Sequence, residues 1–360
     1  MSRRLFLKTI GIVTASHVLP GFADELTAPT VPPLNSASLV IPSMEFAPDL
    51  DGRGTDIRVV GVGGAGGNAL DQLIRAGMQN VEFIAMDTDA QSVARNLAPA
   101  KVHLGSTGLG TGAKPLLGRA AAEESEAAIR AALNGAHMVF IAASMGGGTG
   151  AGAAPVIAKV ARELGILTVG IVTRPFAFEG SERMQRADAT IAELSNHIDS
   201  LIVISHERLL DEMGNNADVD EYFRITEDMT KNAVTAIADI ITYPGLVGVD
   251  FEDVRTVMGN SGRAKMGSAI SASGNRARNA AEQAITELFM DADSLSRARG
   301  VLFNITAAKA GFKMKEILEV INTIKGSVPD DTHIIFGAVF DEVMGDALRV
   351  TVLATGLELA

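Results

Sequence analysis

Glycine-rich stretches carry the chemistry-bearing pattern of this chain. Gly61-Val62-Gly63-Gly64-Ala65-Gly66 and Gly146-Gly147-Gly148-Thr149-Gly150-Ala151-Gly152 each stand between a β-rich apolar run and a helical pattern. Glycine lets backbone N–H groups approach an anion, and the helix N-terminus that follows favours negative charge, so both stretches predict phosphate binding. A third, Gly108-Leu109-Gly110-Thr111-Gly112-Ala113-Lys114-Pro115, lies between them. Three such loops at the carboxyl ends of strands can enclose a chain of phosphates from several sides. The glycine density argues against the blander reading of tight turns without a ligand.

The first loop alone satisfies G-x-G-x-x-G, and Asp87 ends the next strand about twenty residues on, where a dinucleotide-binding fold places its ribose acid. Taken alone, these features predict an NAD-dependent enzyme. The second loop opposes that reading, because a dehydrogenase has no need of another glycine nest at that point in the sheet. No G-x-x-x-x-G-K-[ST] is present, which argues against a P-loop protein: Lys114 follows alanine and precedes proline.

The elements that must position these loops follow from periodicity. Strands are expected over residues 57–61, 81–86, 138–143, 166–173 and 201–205, with helices over 68–76 and 149–164. Strands alternating with helices imply a parallel sheet covered on both faces. Residues 221–242 read as a long helix apolar around most of its circumference, which places it between two domains. Beyond it, a helix around 280–290 and strand-like runs at 300–306, 332–340 and 348–354 predict a smaller α+β domain.

At 360 residues the chain exceeds the size of a single core. A net charge of −12 argues against a nucleic-acid-coating surface. The absence of cysteine excludes disulfides, cysteine–zinc sites and thiol catalysis. Ser2-Arg3-Arg4-Leu5-Phe6-Leu7-Lys8 before a short apolar run reads as a Tat-type export signal. An amphiphilic leader and an unused upstream start stay open beside it. Five prolines within residues 26–55 describe a linker. The expected organisation is therefore leader and linker (1–55), nucleotide-binding domain (56–220), central helix (221–243) and C-terminal domain (244–360).

Gly146-Gly147-Gly148-Thr149-Gly150-Ala151-Gly152 resembles the G-G-G-T-G-[ST]-G signature of the tubulin/FtsZ superfamily, and the likeness spans nearly the whole of residues 57–356, closer to bacterial FtsZ than to tubulin. The resemblance implies a Rossmann-like GTPase domain, GTP or GDP as ligand with Mg2+ as the expected ion, and head-to-tail self-assembly. It assigns Gly63, Gly64, Ala65, Gly66 and Asn68 to the phosphates. Gly146, Gly147, Gly148, Thr149 and Gly150 fall to the α- and β-phosphates, and Gly110, Thr111, Gly112 and Ala113 to the γ-phosphate. Thr173, Glu179 and Arg183 fall near the ribose, although Glu179 and Arg183 also fit an ordinary i, i+4 surface pair. Phe223, Glu227 and Asp228 fall to the base. Asp250 and Asp253, in the stretch 245–255, are implied to act on the nucleotide of a neighbouring subunit; without the resemblance they read as plain loop acids.

Departures from the family pattern cluster at this site. Gly248 and Glu227 stand where the family has Asn, as do Asp87 and Lys114, and Ser205-His206-Glu207-Arg208 replaces Pro-Asn-Asp-Arg/Lys. Glutamate lacks the donor–acceptor pair of an amide, so base reading is expected to rest on Asp228 and on stacking against Phe223. Slower or less selective hydrolysis is expected. The chain stops at Ala360, where an adaptor-binding tail is expected in the family, and residues 5–22 are its apolar appendage. Cytoplasmic work is expected because an exported GTPase lacks fuel. A second reading is a divergent paralogue that co-assembles with, or regulates, a standard FtsZ; a dinucleotide-dependent enzyme is the remote third.

Overall fold

Aliphatic runs such as Ile57-Arg58-Val59-Val60-Gly61-Val62 suit strands covered on both faces. The structure, a computed structural model, describes residues 54–205, 219–242, 249–289 and 298–357, without the side chains of 219–228, 242 and 289. The leader, the linker, residues 206–208 and Gly248 lie outside the described residues.

Strands and helices alternate in the first half: β1 (Ile57–Val62), α1 (Gly63–Arg75), β2 (Glu82–Asp87), α2 (Ala90–Arg95), β3 (Ala100–His103), α3 (Pro115–Glu124), α4 (Glu126–Leu133), β4 (Met138–Ser144), α5 (Thr149–Glu163), β5 (Leu167–Arg174), α6 (Ser181–Ser195) and β6 (Ser200–Ser205). The second half contributes α7 (Val219–Thr242), α8 (Phe251–Met258), β7 (Gly262–Ser271), α9 (Arg276–Phe289), β8 (Gly300–Ala307), α10 (Met314–Lys325), β9 (His333–Phe340) and β10 (Leu348–Leu357). The strands form one sheet in the order β3-β2-β1-β4-β5-β6-β7-β10-β8-β9. The first six run parallel, and β10 pairs antiparallel with β7 and β8.

Alternation along the strands sends side chains to two cores. Val59, Phe83, Phe140 and Val169 pack with Leu70 and Leu73 of α1 and with Val234 and Ile237 of α7. Val60, Val62, Ile84 and Ile141 pack with residues of α4, α5 and α6. Burying each such aliphatic side chain contributes about 1.5–3 kcal/mol. The α7 face also meets Leu302, Ile335 and Leu353 of the C-terminal strands, as its all-round apolarity predicts. A third core joins α9 and α10 to β7–β10.

The two halves share a seam. β7 continues the sheet beside β6 through the register Ser200↔Gly262 to Ile202↔Ala264. The Asp199 carboxylate fastens it, accepting from Thr168 N at 2.9 Å and from Asn260 N at 3.1 Å.

Periodicity misplaced or missed several elements. Helix α1 begins at Gly63 rather than at 68, so most of the first glycine loop is helical first turn. Helix α3 was invisible because its buried positions are Gly118 and Ala122, whereas Leu116 and Leu117 are exposed. The small residues are required there: a methyl on Gly118 would lie 2.5 Å from the Gly148 carbonyl. Among the described residues no helix is long and apolar enough to cross a membrane.

Candidate functional site

The glycine loops meet at the carboxyl edge of β1, β2, β4 and β5. Gly63 opens α1 with a φ of 71°, and no acidic residue occupies that helix's first turn. Its N-cap, Val62, makes no side-chain cap, so the first N–H groups stay free for an anion. Gly148 caps α5 in the same uncapped way, and Gly146 takes a φ of 85°. The two cradles touch: a methyl on Gly63 would lie 3.0 Å from Gly150 N. Gly66 must be glycine because α1 crosses β4 there, against the carbonyl of Ala142. Gly64 and Gly147, by contrast, face open space, as do exposed Ala65 and Asn68 at the surface of the first cradle.

The third loop lies on the second. Buried Thr111 packs onto Gly148, and a methyl on Gly148 would come within 3.0 Å of Lys114 N. Gly110 N donates to Thr88 O at 3.1 Å. Ala113 sits in the left-handed region at φ 59°, a conformation that costs a non-glycine residue about 1–2 kcal/mol. Arg186 of α6 holds it, donating from Nη1 to the Ala113 carbonyl at 2.8 Å.

The loop after β2 completes the floor. The Thr88 and Thr149 hydroxyls are 2.6 Å apart. Asp87 is buried and accepts from Thr88 N at 2.7 Å and Asp89 N at 3.3 Å. Burial raises its pKa, although those bonds and Thr149 oppose the rise. The carboxylate that sequence spacing offers to a ribose is thus turned inward onto its own loop, which removes the dinucleotide reading's acid. Asp89 instead caps α2, accepting from Gln91 N and Ser92 Oγ, and these bonds lower its pKa.

On the other flank, Thr173 O accepts from Met145 N at 2.9 Å. Glu179 pairs with Arg183 at 2.9 Å and also accepts from Phe176 N, so the i, i+4 pair is present. Arg183 packs on Gly146, and its buried Nε has no partner among the described residues. Phe178 stacks on Phe176 at 4.5 Å between centroids while remaining 77% exposed. The backbones of Phe223, Glu227 and Asp228 belong to α7; their side chains lie outside the described residues.

Asp250 and Asp253 are not loose loop acids. They form a reciprocal capping box at the start of α8, with Asp253 N donating to Asp250 Oδ1 at 2.9 Å and Asp250 N to Asp253 Oδ2 at 3.2 Å. Both are exposed. Phe251 between them meets the ring of His137 at 6.0 Å, just before β4 begins, whereas the second glycine loop follows the end of β4. The length of that strand, about 20 Å at roughly 3.3 Å per residue, separates the acids from the cradle. The fold brings the three loops together and holds the two aspartates at the opposite edge.

Neither Arg186 nor the Thr88–Asp89 turn is among the residues assigned to the site from sequence; the turn lies in a stretch, Thr88-Asp89-Ala90-Gln91, that shares the family resemblance, whereas only its place in the fold reveals Arg186. Among the described residues no cluster of three or more histidine, aspartate or glutamate side chains could hold a metal ion.

A parallel sheet whose carboxyl edge carries glycine-built cradles, with no P-loop lysine, defines a nucleotide-binding α/β protein. Residues 56–214 match the Tubulin/FtsZ family, GTPase domain, and residues 262–358 the FtsZ family, C-terminal domain. The chain is 49% identical over 306 residues to the cell division protein FtsZ of Buchnera aphidicola subsp. Schizaphis graminum, covering 84% of this chain and 79% of that one. It is 46% identical over 307 residues to the corresponding protein of Neisseria meningitidis serogroup A, covering 84% and 78%. Among solved structures, an empty FtsZ dimer of M. jannaschii superposes with a TM-score of 0.79 at 37% identity, covering 84% of this chain and 88% of that one. The chain belongs to the tubulin/FtsZ family, and it is a guanine-nucleotide-binding, tubulin-like GTPase of the cell-division type.

Proposed function

We propose that this protein assembles head to tail into filaments and that each joint between copies completes one hydrolytic site. The observation that carries this reading is the placement of Asp250 and Asp253 at the sheet edge opposite the cradles, about a strand length away. Within one chain the acids are remote from the phosphates; in a stacked pair, the α8 edge of one copy faces the cradle edge of the next. That a similar FtsZ of M. jannaschii was solved as a dimer supports self-assembly.

In this reading the uncapped N-termini of α1 and α5 stabilise the phosphate charge that builds up in the transition state. Thr173, Glu179 and Arg183 hold the ribose side, and Phe223, Glu227 and Asp228 the base. The neighbour's carboxylates orient the attacking water and accept its proton. Since no acidic cluster among the described residues could hold it, Mg2+ would be held chiefly by the phosphates, whose charge it would neutralise. The setting is the cytoplasm, where GTP is maintained, and membrane contact through residues 5–22 is a separate proposal.

Phosphate release measured against protein concentration, with electron microscopy under GTP and GDP, tests the reading. Specific activity should rise with concentration as filaments appear. Turnover per molecule that is constant from the nanomolar to the micromolar range rejects a shared site.

A further inference from the structure

We propose that Lys114 contacts the terminal phosphate and makes this chain prefer the triphosphate over the diphosphate, with Arg186 as the positioning residue of its loop. The inference rests on the guanine-nucleotide reading above and adds a residue to that site. The second cradle has two distinguishable ends. Gly146 abuts Arg183 and Pro175 on the flank of Thr173 and Glu179, whereas Gly148 abuts Thr111 and Lys114. With the ribose at the first end, the tail of the phosphate chain falls at the second.

Lys114 occupies the N-cap of α3, where its side chain makes no cap, and Pro115 follows at the first helical position. Its backbone is fixed by the bond from its N–H to Thr111 O at 3.1 Å. Its side chain is exposed and makes no ion pair or hydrogen bond among the described residues. A four-carbon stem therefore extends an uncommitted ammonium from a backbone that abuts the cradle at Gly148, and a compact point charge of that kind is a good phosphate ligand.

The loop is also held from below. Arg186 reaches across from α6 to the Ala113 carbonyl, and its guanidinium lies 3.5 Å from Glu182. That bond fixes the left-handed residue directly before Lys114. Since the resemblance places Asn at position 114, a lysine there adds a charge that an amide lacks, and the gain falls on whichever nucleotide carries the extra phosphate.

The test is competition binding with full-length protein below its assembly concentration, comparing a slowly hydrolysed GTP analogue with GDP. Lys114→Asn and Lys114→Ala should weaken the triphosphate analogue at least about tenfold, the low end for a hydrogen bond to a charged group, and leave GDP within about twofold. Lys114→Arg should retain the preference, and the wild-type preference should shrink as salt rises. Arg186→Ala should lower the same ratio, and the double variant should be no worse than Lys114→Ala alone. Equal losses for both nucleotides, or no loss in a variant that melts like wild type, overturn the assignment of Lys114; additive losses overturn the positioning role of Arg186. Wild-type protein that binds neither guanine nucleotide would overturn the reading of the site itself, a result distinct from either.

Discussion

Glycines in the cradles divide by what surrounds them. Gly66 is pressed against the Ala142 carbonyl, whereas Gly147 faces open space and has no positive φ. Gly66→Ala is expected to prevent normal folding of α1 on β4. Gly147→Ala should melt like wild type yet bind nucleotide at least about tenfold more weakly, because its methyl fills space kept for phosphate. Calorimetric melting together with nucleotide titration checks both, and an unchanged affinity for Gly147→Ala would remove it from the cradle. Asp250 combines a structural bond with its proposed chemistry. Since asparagine caps helices as well as aspartate does, Asp250→Asn should keep α8 and stability intact. GTP turnover in assembled protein should fall at least about tenfold, with nucleotide binding by the monomer unchanged. Motif spacing alone made the cradle glycines legible. It failed at Asp87, whose inward turn depends on the N–H groups of Thr88 and Asp89, and at Arg186, whose target lies seventy-three positions away.

Helix α7 spans the seam between the parallel and antiparallel halves of the sheet, and it carries an acid into that seam. Asp239 lies in a small polar space with Asn304, Thr306, Arg349 and Thr351. Burial pushes its pKa up to about 7 from 3.8; Arg349 opposes the rise and Asp341 adds to it. The Asn304 Oδ1 in this space is buried without a partner among the described residues. Because the folded-state pKa is raised, the stabilisation belongs to the protonated form. It is complete below about pH 4, and it is lost as pH climbs through about 7. Asp239→Asn should therefore melt above wild type, by a margin that grows from pH 5 to pH 7 and is flat above pH 8. A margin independent of pH would show that Asp239 does not titrate in this window. The apolar stripe of α7 was legible because it repeats with the helical period. Helices α3 and α6 were not: α3 buries Gly118 and Ala122, and the first half of α6 is polar, so neither shows an apolar stripe until its neighbours are known.

At the scale of the whole molecule, the two halves of the proposed hydrolytic site sit on opposite edges of one sheet, so the proposal makes turnover depend on a second copy. Mixing offers a direct check. Gly147→Ala is impaired in its cradle but keeps α8, and Asp250→Asn keeps its cradle but loses an acid. Each should be nearly inactive alone, and an equimolar mixture should recover up to about a quarter of wild-type turnover, from joints that pair an intact cradle with an intact α8. Turnover no greater than the average of the two variants would argue against a shared site. By itself, the sequence determined the phosphate-binding loops, the parallel α/β plan and the family, because glycine spacing and strand alternation are local properties set by backbone sterics and by which face is buried. Only the tertiary structure decided that Asp87 closes on its own loop, that Arg186 pins the strained Ala113, and that Asp250 and Asp253 cap a helix a strand length from the cradle. The reach of Arg186 and the separation of the acids from the cradle rest on distances between segments remote in sequence, which no local pattern encodes; the Asp87 and Asp250 bonds are local, but they depend on how the backbone turns each carboxylate onto neighbouring N–H groups.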